Sequence, residues 1–260
     1  MPFITRNGVR VHYEVESEGP PIVALPALGY GFERALMDAW TRALPPHRWI
    51  WVNPRGHGPS DKPRDRAAHA IEEYRDDVVA VLDALAVPKV VCMGFSDGGP
   101  LAYAVADAYP NRVVGVVDYD GIDGRDMCDD EGKQSRIRYA QTVKEKGWNT
   151  DIRELARESG VAEDSAVLKG FWDPDPEMVT LELEAWTDWK GPFSVLPRIR
   201  VPVLVLLNGR REQSEIERIQ GNAHGDHQVR VVPGTNHLTL GTDFLLSADI
   251  VREFLHRVEA

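Results

Sequence analysis

Residues 90–109 constrain this chain more than any other stretch. Val90-Val91-Cys92-Met93 is a short apolar, β-branched run that reads as a buried strand. Pro100 to Tyr109 is apolar nearly all round and reads as a buried helix. Between them Gly94-Phe95-Ser96-Asp97-Gly98 is a G-x-S-x-G turn. A reversal in so few residues strains the backbone at Ser96 and requires small residues two positions to either side. It also holds the hydroxyl out at the strand end, beside the free N–H groups of the following helix. The competing reading is a glycine-rich phosphate loop, but the spacing fits neither G-x-G-x-x-G nor a Gly-Lys-Ser/Thr pattern. Ser96 is therefore the candidate nucleophile.

The rest of the chain supplies a sheet for that turn to sit on. Phe3–Thr5 and Val9–Val15 read as strands joined at Asn7-Gly8, the strongest short hairpin signal. Further strands are expected at 21–26, 49–52, 113–117, 201–207 and 228–232, making eight with the one before Ser96. Helical spacing separates them, at Leu36/Trp40/Ala43, at Tyr74/Val78/Val81/Leu82 and at Val251/Phe254/Leu255. Strands alternating with helices predict an α/β fold, with a mainly parallel sheet covered on both faces. Residues 124–197 break the pattern: they are more charged, hold Trp148, Trp172, Trp186 and Trp189, and show no parallel-strand run. They are expected to be a helical insertion, with helices near 136–146, 151–159 and 177–186. The core would then be residues 1–123 and 198–260.

In such a sheet, ligands collect beyond the carboxyl ends of the strands. Ser96, Asp120, Glu212 and His237 each lie just after a predicted strand and can meet at one rim. A serine hydroxyl needs a base to take its proton, a neutral histidine suits that role, and a carboxylate behind it fixes its tautomer. His237 follows the last strand in a glycine-containing loop and is the best base among eight histidines. His57 lies in a Gly-Pro turn that it is expected to pack, and His224, His227 and His256 read as surface residues. No His/carboxylate pair has metal-ligand spacing such as H-E-x-x-H, so no metal is predicted.

These residues carry a resemblance to the α/β-hydrolase-fold superfamily over nearly the whole chain. The matching features are the N-terminal hairpin, Asn53-Pro54-Arg55-Gly56-His57-Gly58, the elbow at Ser96, Pro202 to Leu206 with Gly209 after it, and Gly234-x-x-His237. The order nucleophile, acid, histidine is the family's order. The resemblance implies an eight-stranded α/β-hydrolase fold with a helical cap after strand six. It implies a serine hydrolase cleaving an ester, thioester or lactone through an acyl-enzyme, with no cofactor. The alternatives are a cofactor-free lyase, cyclase or perhydrolase on the same rim, or a catalytically silent ligand-binding relative. The backbone amides of Leu28 and Asp97 are the expected oxyanion hole, although Pro26-Ala27 replace the family's usual His-Gly. Asn53 stands where an aspartate is usual. The acid after strand seven is a glutamate, Glu212, flanked by Arg210 and Arg211. Glu212 holds the usual place and is preferred, and Asp120, after strand six, is the alternative. Trp148 and Trp186 would line an apolar acyl pocket or else form the insertion's own core.

The chain carries 260 residues with a net charge of −11, which argues against nucleic acid and against anionic membrane surfaces. The N-terminus lacks the apolar stretch of a signal peptide, and no apolar run is long enough to span a bilayer. With only Cys92 and Cys128, one of them in a buried strand, a disulfide framework is not expected and a reducing cytoplasm fits. The expected partner is a small-molecule substrate, with a homo-oligomer possible.

Overall fold

The computed structural model describes residues 2–44, 46–122, 129–172 and 174–259. Eight strands form one sheet in the order β1-β2-β4-β3-β5-β6-β7-β8. They are β1 (Phe3–Arg6), β2 (Val9–Glu16), β3 (Pro21–Leu25), β4 (Arg48–Asn53), β5 (Val90–Phe95), β6 (Val113–Tyr119), β7 (Val203–Asn208) and β8 (His227–Val232). The β1·β2 and β2·β4 pairs are antiparallel and every other pair is parallel. The hairpin turn places Asn7 at φ +50° and Gly8 at φ +79°, both in the left-handed region that a two-residue primed turn demands.

Strand residues alternate between two apolar layers. Ile22, Ala24, Trp49, Trp51, Val91, Met93, Leu204 and Leu206 face one way. They pack with α1 (Arg34–Ala43) and α10 (Ala248–Glu259). Val23, Leu25, Ile50, Val52, Val90, Cys92, Val203 and Val205 face the other. They meet α2 (Ile71–Ala84) and α3 (Gly98–Ala108). A strand buried on both faces reads as a continuous apolar run, which is why β3, β5 and β7 are legible in the sequence.

Between β6 and β7 the described residues hold helices and no strand: α4 (Asp130–Lys146), α5 (Trp148–Ser159), α6 (Pro176–Ala185) and the single turn α7 (Pro192–Val195). The expected boundary at residue 123/124 lies outside the described residues, as does Cys128. Helices α4 and α6 begin earlier than periodicity alone suggests, because each has an aspartate cap. The Asp129 side chain accepts from Gly132 N at 2.7 Å, and that of Asp175 from Glu177 N at 3.0 Å. Two short helices complete the chain, α8 (Gln213–Asn222) and α9 (His237–Thr242).

Candidate active site

Ser96 sits between β5 and α3 with φ +53°, a left-handed conformation that costs a residue with a side chain. The surrounding packing holds it there. A Cβ on Gly94 would run into the carbonyl oxygen of Gly98, and one on Gly98 into that of Leu25. Both glycines of the motif are therefore close-approach positions. The Ser96 N–H donates to Tyr119 O at 2.9 Å, which ties the elbow to the end of β6.

His237 is the first residue of α9, not a loop residue as its sequence neighbours suggest. Asn236 caps this helix: its side chain accepts from Thr239 N at 3.0 Å, while Thr239 Oγ1 accepts from Asn236 N at 2.9 Å. The Asn-x-x-Thr spacing is a capping signal that sequence reading passed over. The imidazole stacks on Phe95, with ring centroids 5.1 Å apart. Its Nε2 lies 3.1 Å from Ser96 Oγ and its Nδ1 lies 2.7 Å from Asp120 Oδ2. An ionised carboxylate can only accept, so the proton sits on Nδ1 and Nε2 faces the serine hydroxyl as acceptor.

It is therefore Asp120, and not the preferred Glu212, that meets the histidine. Asp120 follows β6 at φ +57°, and Gly121 beside it packs so closely on Ser96 O that a Cβ would collide. Asn208 donates to Asp120 through its backbone N (3.1 Å) and its Nδ2 (2.7 Å), and Arg211 Nε donates at 3.0 Å. Burial raises the cost of the Asp120 charge. The His237 hydrogen bond and charge, with Arg211 and Asn208, outweigh that cost and hold its carboxyl well below the usual range. Glu212 instead occupies the N-cap position of α8, exposed on the cavity rim. The loop after β7 turns Asn208 and Arg211, not Glu212, onto Asp120. Asn208 and Arg211 are site residues that no sequence signal had marked.

Asp118, near the end of β6 and two residues before Asp120, is fully buried and accepts from the loop that follows. It accepts from Tyr103 Oη (2.9 Å), Gly121 N (2.7 Å) and Ile122 N (3.2 Å). Burial pushes its carboxyl up to about 7 despite these donors.

The loop from Ala27 to Phe32 reaches the cavity at Ser96 through Ala27 and Leu28. Tyr30 N donates to Ala27 O (3.0 Å), Gly31 N to Gly170 O (3.1 Å) and Phe32 N to Asn53 Oδ1 (3.0 Å). Asn53, in place of an aspartate, is thus an anchor for this loop. The amides of Leu28 and Asp97 have no protein acceptor among the described residues, and both residues line the cavity at Ser96.

Two cavities meet at Ser96 and His237. One, of about 850 Å³, is polar, walled by Asn208, Arg210, Arg211, Glu212 and Asn236. The other, of about 420 Å³, is largely apolar, walled by Leu28, Tyr139, Trp148, Ile152, Phe171 and Leu183. Trp148 is in this wall, fixed by its Nε1–H donating to Phe171 O at 2.8 Å. Trp186 is not. It is 1% exposed, packs edge-on against Tyr74 at 5.6 Å, and belongs to the opposite apolar layer. The expectation that Trp186 lines the substrate pocket is corrected: the residue begins the turn after α6 that carries the insertion back over α2. Among the described residues no group of three or more His, Cys, Asp or Glu is placed to hold a metal ion.

Residues 20–150, half of the chain, match the family described as alpha/beta hydrolase fold. The chain belongs to the α/β-hydrolase family. The curated relatives of this α/β-hydrolase chain include a putative 2-succinyl-6-hydroxy-2,4-cyclohexadiene-1-carboxylate synthase of Bacillus subtilis. It is 34% identical over 43% of this chain and 40% of its own length. Epoxide hydrolase B of Mycobacterium tuberculosis is 32% identical over 43% of this chain and 32% of its own length. The matched region thus spans two fifths or less of these relatives. Among solved structures, a thermophilic esterase from Thermogutta terrifontis superposes with a TM-score of 0.80 at 21% identity, covering 99% of this chain and 97% of that one. At that identity the likeness is one of fold. No helix among the described residues is long and apolar enough to cross a membrane.

Proposed function

We propose that this chain is a serine hydrolase that cleaves a carboxylic ester, thioester or lactone through an acyl-enzyme. The observation that carries the reading is the unbroken chain Ser96 Oγ, His237 Nε2, His237 Nδ1, Asp120 Oδ2, with spacings of 3.1 Å and 2.7 Å at its two hydrogen bonds. Ser96 attacks the acyl carbon while His237 takes its proton. His237 then returns the proton to the leaving oxygen or sulfur, and a water repeats the cycle on the acyl-enzyme. Asp120 keeps the imidazole in the required tautomer and stabilises the imidazolium. The Leu28 and Asp97 amides receive the oxyanion, a role worth about 3 kcal/mol per donor. The insertion, 124–197, acts as a cap whose Trp148 and Phe171 line the apolar cavity, so an apolar acyl group fits there. The polar cavity takes the alcohol side.

The related proteins named a synthase and an epoxide hydrolase do not select among bonds to be cleaved. What favours acyl transfer here is a serine, not a carboxylate, at the elbow with a base in hydrogen-bond reach. The test is turnover of p-nitrophenyl esters from acetate to octanoate by the wild type and by Ser96→Ala. The proposal expects measurable hydrolysis in the wild type and its near-complete loss in a folded Ser96→Ala. Full activity in the variant, or none in the wild type on any ester or lactone of a panel, contradicts it.

A further inference from the structure

Asp97 follows the nucleophile directly, and its side chain does something unexpected. It occupies the N-cap position of α3, where an aspartate ordinarily accepts from the helix's first N–H groups, yet it makes no such bond. It turns instead toward the insertion. There Arg136 of α4 meets it with both ends of the guanidinium, Nη1 to Oδ1 at 3.1 Å and Nη2 to Oδ2 at 2.8 Å. Each side chain is only 14% exposed. The guanidinium also lies over the Trp186 ring, 5.5 Å from its centroid. Arg136 lines both cavities that meet at Ser96.

This arrangement sets up an electrostatic conflict and its resolution. In the proposed reaction, negative charge develops on an oxygen held by the Asp97 N–H. A carboxylate on that same residue, only partly exposed, would repel that charge just as it forms. The field of Asp97 reaches other groups here. Burial, with the Asp97 charge added to it, raises the carboxyl of Glu182, on α6, well above its ordinary range, and burial and Asp151, with Asp97 after them, raise the Tyr139 phenol.

We propose that Arg136 is a positioning residue for the hydrolytic reaction: its two-pronged pairing cancels the Asp97 charge beside the oxyanion site and aims the Asp97 N–H. The inference rests on the serine-hydrolase reading. It adds that the insertion contributes to rate through Arg136, not only to substrate choice. An ordinary ion pair that merely ties α4 to the core would leave kcat untouched once the protein is folded.

The experiment is steady-state kinetics with a p-nitrophenyl ester on Arg136→Gln, Arg136→Lys and the double variant Asp97→Asn/Arg136→Gln, with melting curves for each. Arg136→Gln leaves the Asp97 charge uncancelled, and kcat is expected to fall about a hundredfold with KM within about threefold. Removing that charge in the double variant is expected to restore kcat at least about tenfold over Arg136→Gln. Arg136→Lys, which keeps the charge, is expected to retain at least about a tenth of the wild-type kcat, and it carries the test if Arg136→Gln does not fold. The inference is overturned if the double variant is no faster than Arg136→Gln, if Arg136→Gln keeps kcat within about threefold of wild type, or if Arg136→Lys falls below about a hundredth. Wild type that hydrolyses no ester or lactone of the panel overturns the serine-hydrolase reading and this inference with it. Wild type that hydrolyses esters while Arg136→Gln is unaffected overturns this inference alone.

Discussion

Asp120 and His237 stand 117 residues apart in the chain and 2.7 Å apart in space, the carboxylate wholly shielded from solvent and the imidazole one-third exposed. Asn208 and Arg211 also donate to that carboxylate, so its orientation does not depend on the histidine alone. Replacing Asp120 with asparagine is expected to lower kcat by on the order of 10⁴, because an amide allows the wrong imidazole tautomer. Glu212→Gln, on the exposed rim, should stay within about threefold of wild type. Ester turnover by the two variants, each checked for unchanged melting, decides the matter. A large loss in Glu212→Gln and a small one in Asp120→Asn would return the acid to the loop after β7.

The two tryptophans should separate cleanly. Trp148→Ala removes a wall of the 420 Å³ cavity and is expected to shift the preferred acyl chain toward longer esters. Trp186→Ala empties a fully buried site in the layer under α2 and should cost about 3–5 kcal/mol of stability while leaving the ranking of esters unchanged. Melting temperature and kcat/KM across acetate, butyrate, hexanoate and octanoate esters check both. A changed ranking in Trp186→Ala alone would contradict the placement.

His57 gives a stability prediction with a definite sign. Burial pushes its imidazolium down to about 4, and its Nε2 lies 3.4 Å from Glu182 Oε2, whose own carboxyl burial pushes up. His57 is therefore neutral at neutral pH and the contact is not an ion pair. Between about pH 6.5 and 4 the unfolded chain binds a proton at this histidine and the folded chain does not, so stability falls as pH falls through that window. His57→Asn should lose less melting temperature than wild type between pH 7 and pH 4.5, and an equal or larger drop would contradict the assignment.

Much of this is legible in the sequence because it is written locally. β5, the Ser96 turn and α3 follow from twenty consecutive residues, and β3 and β7 are apolar runs buried on both faces. His237 was recognisable from its place after the last strand. The helix it opens was overlooked, because the Asn236 and Thr239 cap lies in a stretch too short for periodicity. The carboxylate that meets His237 was not legible: placing Asp120 there, and not Glu212, requires knowing which of two loops turns inward, and that depends on Asp118, Gly121, Asn208 and Arg211 acting together. Trp148 and Trp186 are alike in a sequence, and only the direction each helix faces separates a cavity wall from a core. The Arg136–Asp97 pair spans 39 residues and two structural layers, with no pattern to announce it.

The proposed reaction stands or falls with Ser96 as the covalent nucleophile. Intact-mass analysis after treatment with a fluorophosphonate, followed by peptide mapping, tests it most directly. A single adduct is expected, located on Ser96, absent from Ser96→Ala and accompanied by loss of esterase activity in the wild type. An adduct on another residue, or a wild type that stays unlabelled while it hydrolyses esters, would contradict it.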